Sequence, residues 1–177
     1  MVALKRPTEA WCSAVLFKNR FGQVVVARFK LSGDAEVGVF LVDLYCLGIK
    51  DAHFVKASAL EYDTKILARM AETGEGKESL SPACARKLVE GAVQYAQALG
   101  LAPHPDYKKA CRVFGGIRSE ECDRAFTYGK DGKPLLVQSP NDSPAFVQHV
   151  MTTLTRRLGT DGFHYILEAG TLDQEPG

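Results

Sequence analysis

Apolar and polar positions alternate with a period near two over the first third of the chain, then switch to helical spacing near Ser58. The period-two region predicts strands over residues 11–17 and 23–31, separated by the turn Lys18-Asn19-Arg20-Phe21-Gly22. After a second turn at Ser32-Gly33-Asp34 comes the longest apolar run, residues 36–56. As a strand it places Val37, Val39, Leu41 and Tyr45 on one face and Phe40, Val42, Leu44 and Cys46 on the other. Both faces are apolar, so this strand is expected at the centre of a sheet covered on both sides. A bend at Gly48 leaves residues 51–56 for a fourth, shorter strand. Connections this short join neighbours in an antiparallel meander.

Helical signals follow. Ser58 and Glu61 have the spacing of a capping box, and Tyr62, Ile66, Leu67 and Met70 form a stripe behind it. Ser81-Pro82 and Ser143-Pro144 each combine a capping serine with a proline suited to the first helical turn. The expected helices are 58–72, 81–99, 105–114 and 143–157. Phe146, Val147, Val150, Met151, Leu154 and Leu158 make the inner stripe of the last one. Asp131-Gly132 predicts a tight hairpin turn within residues 126–138, and residues 163–167 return as a strand. The fold class is therefore α+β: an N-terminal antiparallel meander packed with about four helices, and a later β-hairpin. One domain spans 10–169, with a flexible arm at 1–9 and a disordered tail at 170–177.

Composition changes this picture little. The 177 residues are 46% hydrophobic and 24% charged, with a formal net charge of +1. That balance suits a folded domain with a real core and argues for no strongly charged partner. No apolar stretch is long enough to span a bilayer, and no signal-peptide core follows Lys5 and Arg6, so a cytoplasmic location is expected. The five cysteines are an odd number with no C-x-x-C pair, and they read as buried, unpaired thiols in a reducing compartment.

Candidate chemistry begins with Asp43, a carboxylate inside the apolar run. Buried there, it must be paired, hydrogen-bonded or protonated. Its plainest role is an ion pair or bonds to loop amides. The sharper alternative is a metal-dependent, nuclease-like hydrolase in which Asp43, Asp51, His104 and Asp106 are catalytic, with Asp142 among the oxygen ligands to Mg²⁺ or Mn²⁺. Cys46 with His104 and Asp106 supplies residue types of a cysteine hydrolase, but without a local signature. Lys18, Arg20, Arg28 and Lys30, interleaved with Phe17, Phe21 and Phe29, form a candidate nucleic-acid surface, because cations neutralise phosphates and rings stack on bases. The same charges on an edge hairpin also guard against aggregation.

One stretch, Phe40-Leu41-Val42-Asp43-Leu44-Tyr45-Cys46-Leu47-Gly48-Ile49-Lys50-Asp51-Ala52, resembles a group of small bacterial proteins without an assigned activity. The likeness continues through Ala85-Arg86-Lys87-Leu88-Val89-Glu90-Gly91-Ala92, His104-Pro105-Asp106-Tyr107 and Tyr128-Gly129-Lys130-Asp131-Gly132-Lys133-Pro134. It implies a bacterial or phage origin and a single domain, and brings no cofactor. With no constellation at catalytic spacing, the expected function is a binding or accessory protein that needs no cofactor. Its expected partner is a protein or larger complex, or else nucleic acid, and not a membrane.

Overall fold

The computed structural model describes residues 5–168. A five-stranded antiparallel sheet, in the order β4-β3-β2-β1-β5, is built from β1 (Glu9–Ser13), β2 (Phe21–Phe29), β3 (Asp34–Asp43), β4 (Gly48–Ser58) and β5 (Lys77–Leu80). The α+β architecture expected from the pattern is the architecture found. The turn between the first two strands holds one helical turn, α1 (Leu16–Asn19), and Arg20, not Asn19 or Gly22, takes the positive φ, at 61°. β5 was not anticipated. Its four residues, Lys77-Glu78-Ser79-Leu80, bury only Leu80, so they carry no period-two signal.

The helices lie where the caps placed them. Ser58 accepts a hydrogen bond from the Glu61 amide at 3.2 Å, and the Glu61 carboxylate accepts from the Ser58 amide at 2.9 Å. This box opens α2 (Ala59–Glu61), which runs through a π-helical segment, Tyr62–Leu67, into α3 (Ala68–Glu72). Ser81 caps α4 (Pro82–Ala98), and α5 (Tyr107–Ala110) continues as a 3₁₀ turn, Cys111–Phe114. Ser143 caps α6 (Pro144–Leu158).

Both faces of the sheet bury apolar residues. Val24, Val26, Phe40 and Val42 pack with Leu88, Val89, Ala92 and Phe114 of α4 and the 3₁₀ turn. Val25, Ala27, Phe29 and Val37 pack with Tyr62, Leu67 and Met70. Gly38 lets α5 and the 3₁₀ turn approach the first of these faces closely: a Cβ there would lie 2.6 Å from Val113 and 3.1 Å from the Ala110 carbonyl. A third apolar cluster joins Cys46 and Leu47 to Ala96, Leu136, Val147, Val150 and Leu154, tying the sheet to the C-terminal part.

At Asp131-Gly132 the φ angles are 51° and 78°, as a type I′ turn requires. The hairpin arms meet there only at Lys130 and Lys133. The downstream arm becomes β6 (Leu135–Val137), which pairs in parallel with β7 (His164–Ile166). Arg6 anchors the base of the expected N-terminal arm: it bonds Glu9 and Asp63 and lies 4.2 Å over the Phe29 ring. The remainder of that arm, residues 1–4, and the tail expected to be disordered, 170–177, lie outside the described residues.

Three sequence readings are corrected. The fourth strand, expected to be short and to cover 51–56, is the longest of the sheet at 11 residues. The central strand ends at Asp43, and Leu44–Leu47 form a turn instead of continuing the alternation. The cysteines are not all free: Cys84 and Cys122 form a disulfide, with Cα atoms 4.9 Å apart. Cys12 and Cys46 are buried free thiols, as expected, and Cys111 is a partly exposed one.

Candidate functional site

The turn between β3 and β4 organises the site. The Asp43 carboxylate accepts hydrogen bonds from the amides of Tyr45 at 2.8 Å and Cys46 at 3.1 Å. An aspartate that collects its own downstream amides stops a strand and folds the chain back. Burial pushes the Asp43 carboxyl up to about 6, against the opposing pull of the turn amides and of Lys50. Gly48 closes the turn with φ 70°, and a Cβ there would lie 2.8 Å from the Ala92 carbonyl, so the turn rests directly on α4. Neighbouring loops then dock on the turn. Leu44 N–H donates to the Arg20 carbonyl, Gly129 N–H to the Leu44 carbonyl and Leu135 N–H to the Tyr45 carbonyl. Burial, reinforced by Asp43, pushes the Cys46 thiol up to about 12, so it stays protonated and is a poor nucleophile.

Beyond Gly48, β4 sends Lys50 toward the loop before α6. Its ammonium lies 3.0 Å from Asp142 Oδ1 and 3.0 Å from Ser139 Oγ, and the two charged side chains are 11% and 10% exposed. Asp142 Oδ2 also accepts from the Ser139 amide at 2.8 Å. One residue on, Asp51 Oδ1 accepts from the Ala52 amide, and Asp51 Oδ2 lies 3.2 Å from His53 Nε2. His104 Nε2 approaches Asp51 Oδ1 to 3.6 Å. His104 Nδ1 accepts from the Asp106 amide, so the neutral ring carries its proton on Nε2, facing Asp51. His104 N–H donates to the Ile49 carbonyl, stitching the loop to β4.

Between this loop, the start of β4 and the N-terminal turns of α6 lies a cleft of about 440 Å³. Leu47, Ile49, Leu101 and Val150 give it an apolar floor, and His104, Asn141, Ser143 and His149 stand around it. Phe146, on the wall, is 39% exposed. Ser143 Oγ accepts the Phe146 amide at the start of α6.

The fold thus brings Asp51 and His104 together, with Asp106 contributing its backbone amide. Asp43 is turned into the β3–β4 turn. Among the described residues, no group of three histidine, cysteine or acidic side chains is placed to hold a metal ion. The basic residues fall at opposite ends of β2, roughly 26 Å apart at strand rise. Arg28 and Lys30 both pair with Glu36, at 2.6 and 3.3 Å, and the bond from Arg28 holds the Glu36 carboxyl below its usual range. At the other end, Lys18 is exposed, while Arg20 donates to the Thr127 carbonyl and lies 6.0 Å from the Tyr45 ring. Arg124 joins this end: it sits 4.7 Å over Phe17 and 5.2 Å over Phe126, and those two rings are themselves stacked.

Sequence reasoning missed Phe146 and His149 as cleft residues, and Arg124 as the cation over Phe17 and Phe126. The polar break after the apolar run, with Lys50, Asp51 and His53, was the signal that could be followed. No protein family, curated protein or solved structure matches the chain.

Proposed function

We propose that this chain is a small bacterial, cytoplasmic binding protein without catalytic activity, which docks a segment of a protein partner in the cleft between β4 and α6. The observation that carries this reading is the build of the cleft. An apolar floor with a partly exposed Phe146 is ringed by polar groups, of which His104 and Ser143 are held in place by hydrogen bonds. Buried apolar anchors inside a polar rim are the usual anatomy of a docking pocket. The acidic groups suited to hydrolysis have structural work instead: Asp43 terminates a strand, Asp142 neutralises Lys50, and Asp51 bonds Ala52 and His53. The test is a photo-crosslinking residue at position 149, compared with one at position 75 on the loop after α3. A defined partner captured from position 149 and not from 75 is the expected result. Identical products from both sites, or none from 149, would count against the cleft.

One observation favours nucleic acid as a second partner. Arg124 lies over the stacked Phe17 and Phe126, Arg20 bonds the carbonyl of Thr127, and the exposed Lys18 follows Phe17 in sequence, which combines phosphate-binding and base-stacking groups. Salt-dependent binding of single-stranded oligonucleotides tests it.

A further inference from the structure

The Cys84–Cys122 disulfide fastens a strap, residues 115–127, to the start of α4. The strap contains a single 3₁₀ turn, Ser119–Glu121, and its backbone hydrogen bonds are local, from Ile117 to Phe114, Glu121 to Arg118 and Cys122 to Ser119. Arg118, Glu120, Glu121, Asp123, Arg124 and Ala125 are exposed, whereas Cys122, in their midst, is 5% exposed. Ile117 and Phe126, near the strap's two ends, pack against the core, and the polar ties to α4 come from long cationic side chains. Arg86 donates to the Gly115 and Ile117 carbonyls, and Lys87 to those of Cys122 and Arg124. Side-chain bonds of this kind are individually weak, so between Ile117 and Phe126 the covalent link is the main tie.

The surroundings also favour release of the link. Cys84 lies in the first turn of a 17-residue helix, with its amide capped by Ser81. Arg86 and Lys87 stand two and three residues further along the same helix. A helix N-terminus and adjacent cations stabilise a thiolate, and a stabilised thiolate is a good leaving group.

We infer that the Cys84–Cys122 pair is a redox-responsive clasp that controls whether the strap, with Arg124 and Phe126, lies on α4. The thiolate of a low-molecular-weight thiol attacks Cys122 Sγ. The protein S–S bond breaks, its electron pair leaves on Cys84, and a mixed disulfide forms at Cys122. A second thiolate attacks the small-molecule sulfur, freeing the Cys122 thiolate and releasing the oxidised small-molecule disulfide. Two electrons have passed to the protein, and each protein thiolate can take up a proton. A reducible clasp also suits a reducing compartment, where permanent disulfides are rare. The inference stands independently of the cleft, since the strap does not line it.

The test uses the whole chain equilibrated in reduced and oxidised glutathione, read by non-reducing peptide mapping and by hydrogen exchange. Reduced glutathione should remove the linked Cys84–Cys122 peptide and raise exchange in 115–127 by about tenfold or more, while amides of β2 and β3 keep their protection. Cys84→Ser and Cys122→Ser should each reproduce the open strap without reductant. Three results would overturn the inference: a linked peptide that survives reduced glutathione, strap exchange that ignores the oxidation state, or loss of protection in β2 and β3 as well.

Discussion

Lys50 Nζ stands 3.0 Å from Asp142 Oδ1, linking the first residues of β4 to the loop that launches α6. With each side chain only about a tenth exposed, removing one partner strands a charge. Lys50→Met or Asp142→Leu alone should cost about 3 kcal/mol, and the double variant clearly less than the sum. Urea unfolding of the four proteins measures this. Additive losses would mean the two side chains act separately.

Asp43 predicts a particular pH dependence. Its carboxyl is raised from the ordinary 3.8 to about 6 by burial. A carboxylate whose folded value exceeds its unfolded value binds its proton more tightly in the folded state. Its contribution therefore favours the fold increasingly as pH falls from about 6 toward 4, and opposes it above 6. Asp43→Asn keeps an oxygen for the Tyr45 and Cys46 amides but cannot ionise. It should match or exceed the parent's stability at pH 7 and lose this component of the pH profile. Asp43→Ala leaves the amides without an acceptor and should be about 2 kcal/mol less stable than Asp43→Asn at any pH. Thermal melts from pH 4 to 8 on all three proteins decide the point. A parent-like pH slope in the Asn variant would be inconsistent with this environment for Asp43.

Gly48→Ala should be among the more damaging single-methyl additions. The new Cβ meets both a φ of 70° and the Ala92 carbonyl at 2.8 Å, and neither backbone segment can yield cheaply. A loss of about 2 kcal/mol or more is expected in chemical denaturation. A neutral result would show that the turn does not rest on α4 as described.

The split of basic residues across β2 makes the nucleic-acid reading specific to one end. Lys18→Glu and Arg124→Glu should each weaken oligonucleotide binding and lower the salt slope by about one unit. Arg28→Glu with Lys30→Glu should leave binding largely intact, because those cations already pair with Glu36. Titrations at several salt concentrations separate the two ends. Equal losses from both would require a surface running the length of β2.

Much of the architecture could be read from local pattern. Period-two alternation located β2 to β4, and three serines, Ser58, Ser81 and Ser143, marked helix starts that all carry the expected cap bonds. Asp43 misled because alternation treats every position as strand interior. The side chain's capacity to bond amides two and three residues ahead overrides that pattern. The pairing of Cys84 with Cys122, 38 positions apart, depends on the strap returning to α4 and leaves no spacing signature. In the site, the polar run after Gly48 and His104 between its prolines were visible. Phe146 was not, since a phenylalanine at helical spacing reads as core, whereas here it stands on the wall of a cleft.

The most direct measurement of the central claim is the affinity of the partner captured from position 149 for three proteins: the parent, Phe146→Asp and Leu60→Asp. Leu60 is the control, an apolar side chain 71% exposed on α2 and outside the cleft. Docking in the cleft predicts that Phe146→Asp weakens binding by about tenfold or more while Leu60→Asp binds like the parent. Parent-like binding by Phe146→Asp, or an equal loss in Leu60→Asp, would contradict it.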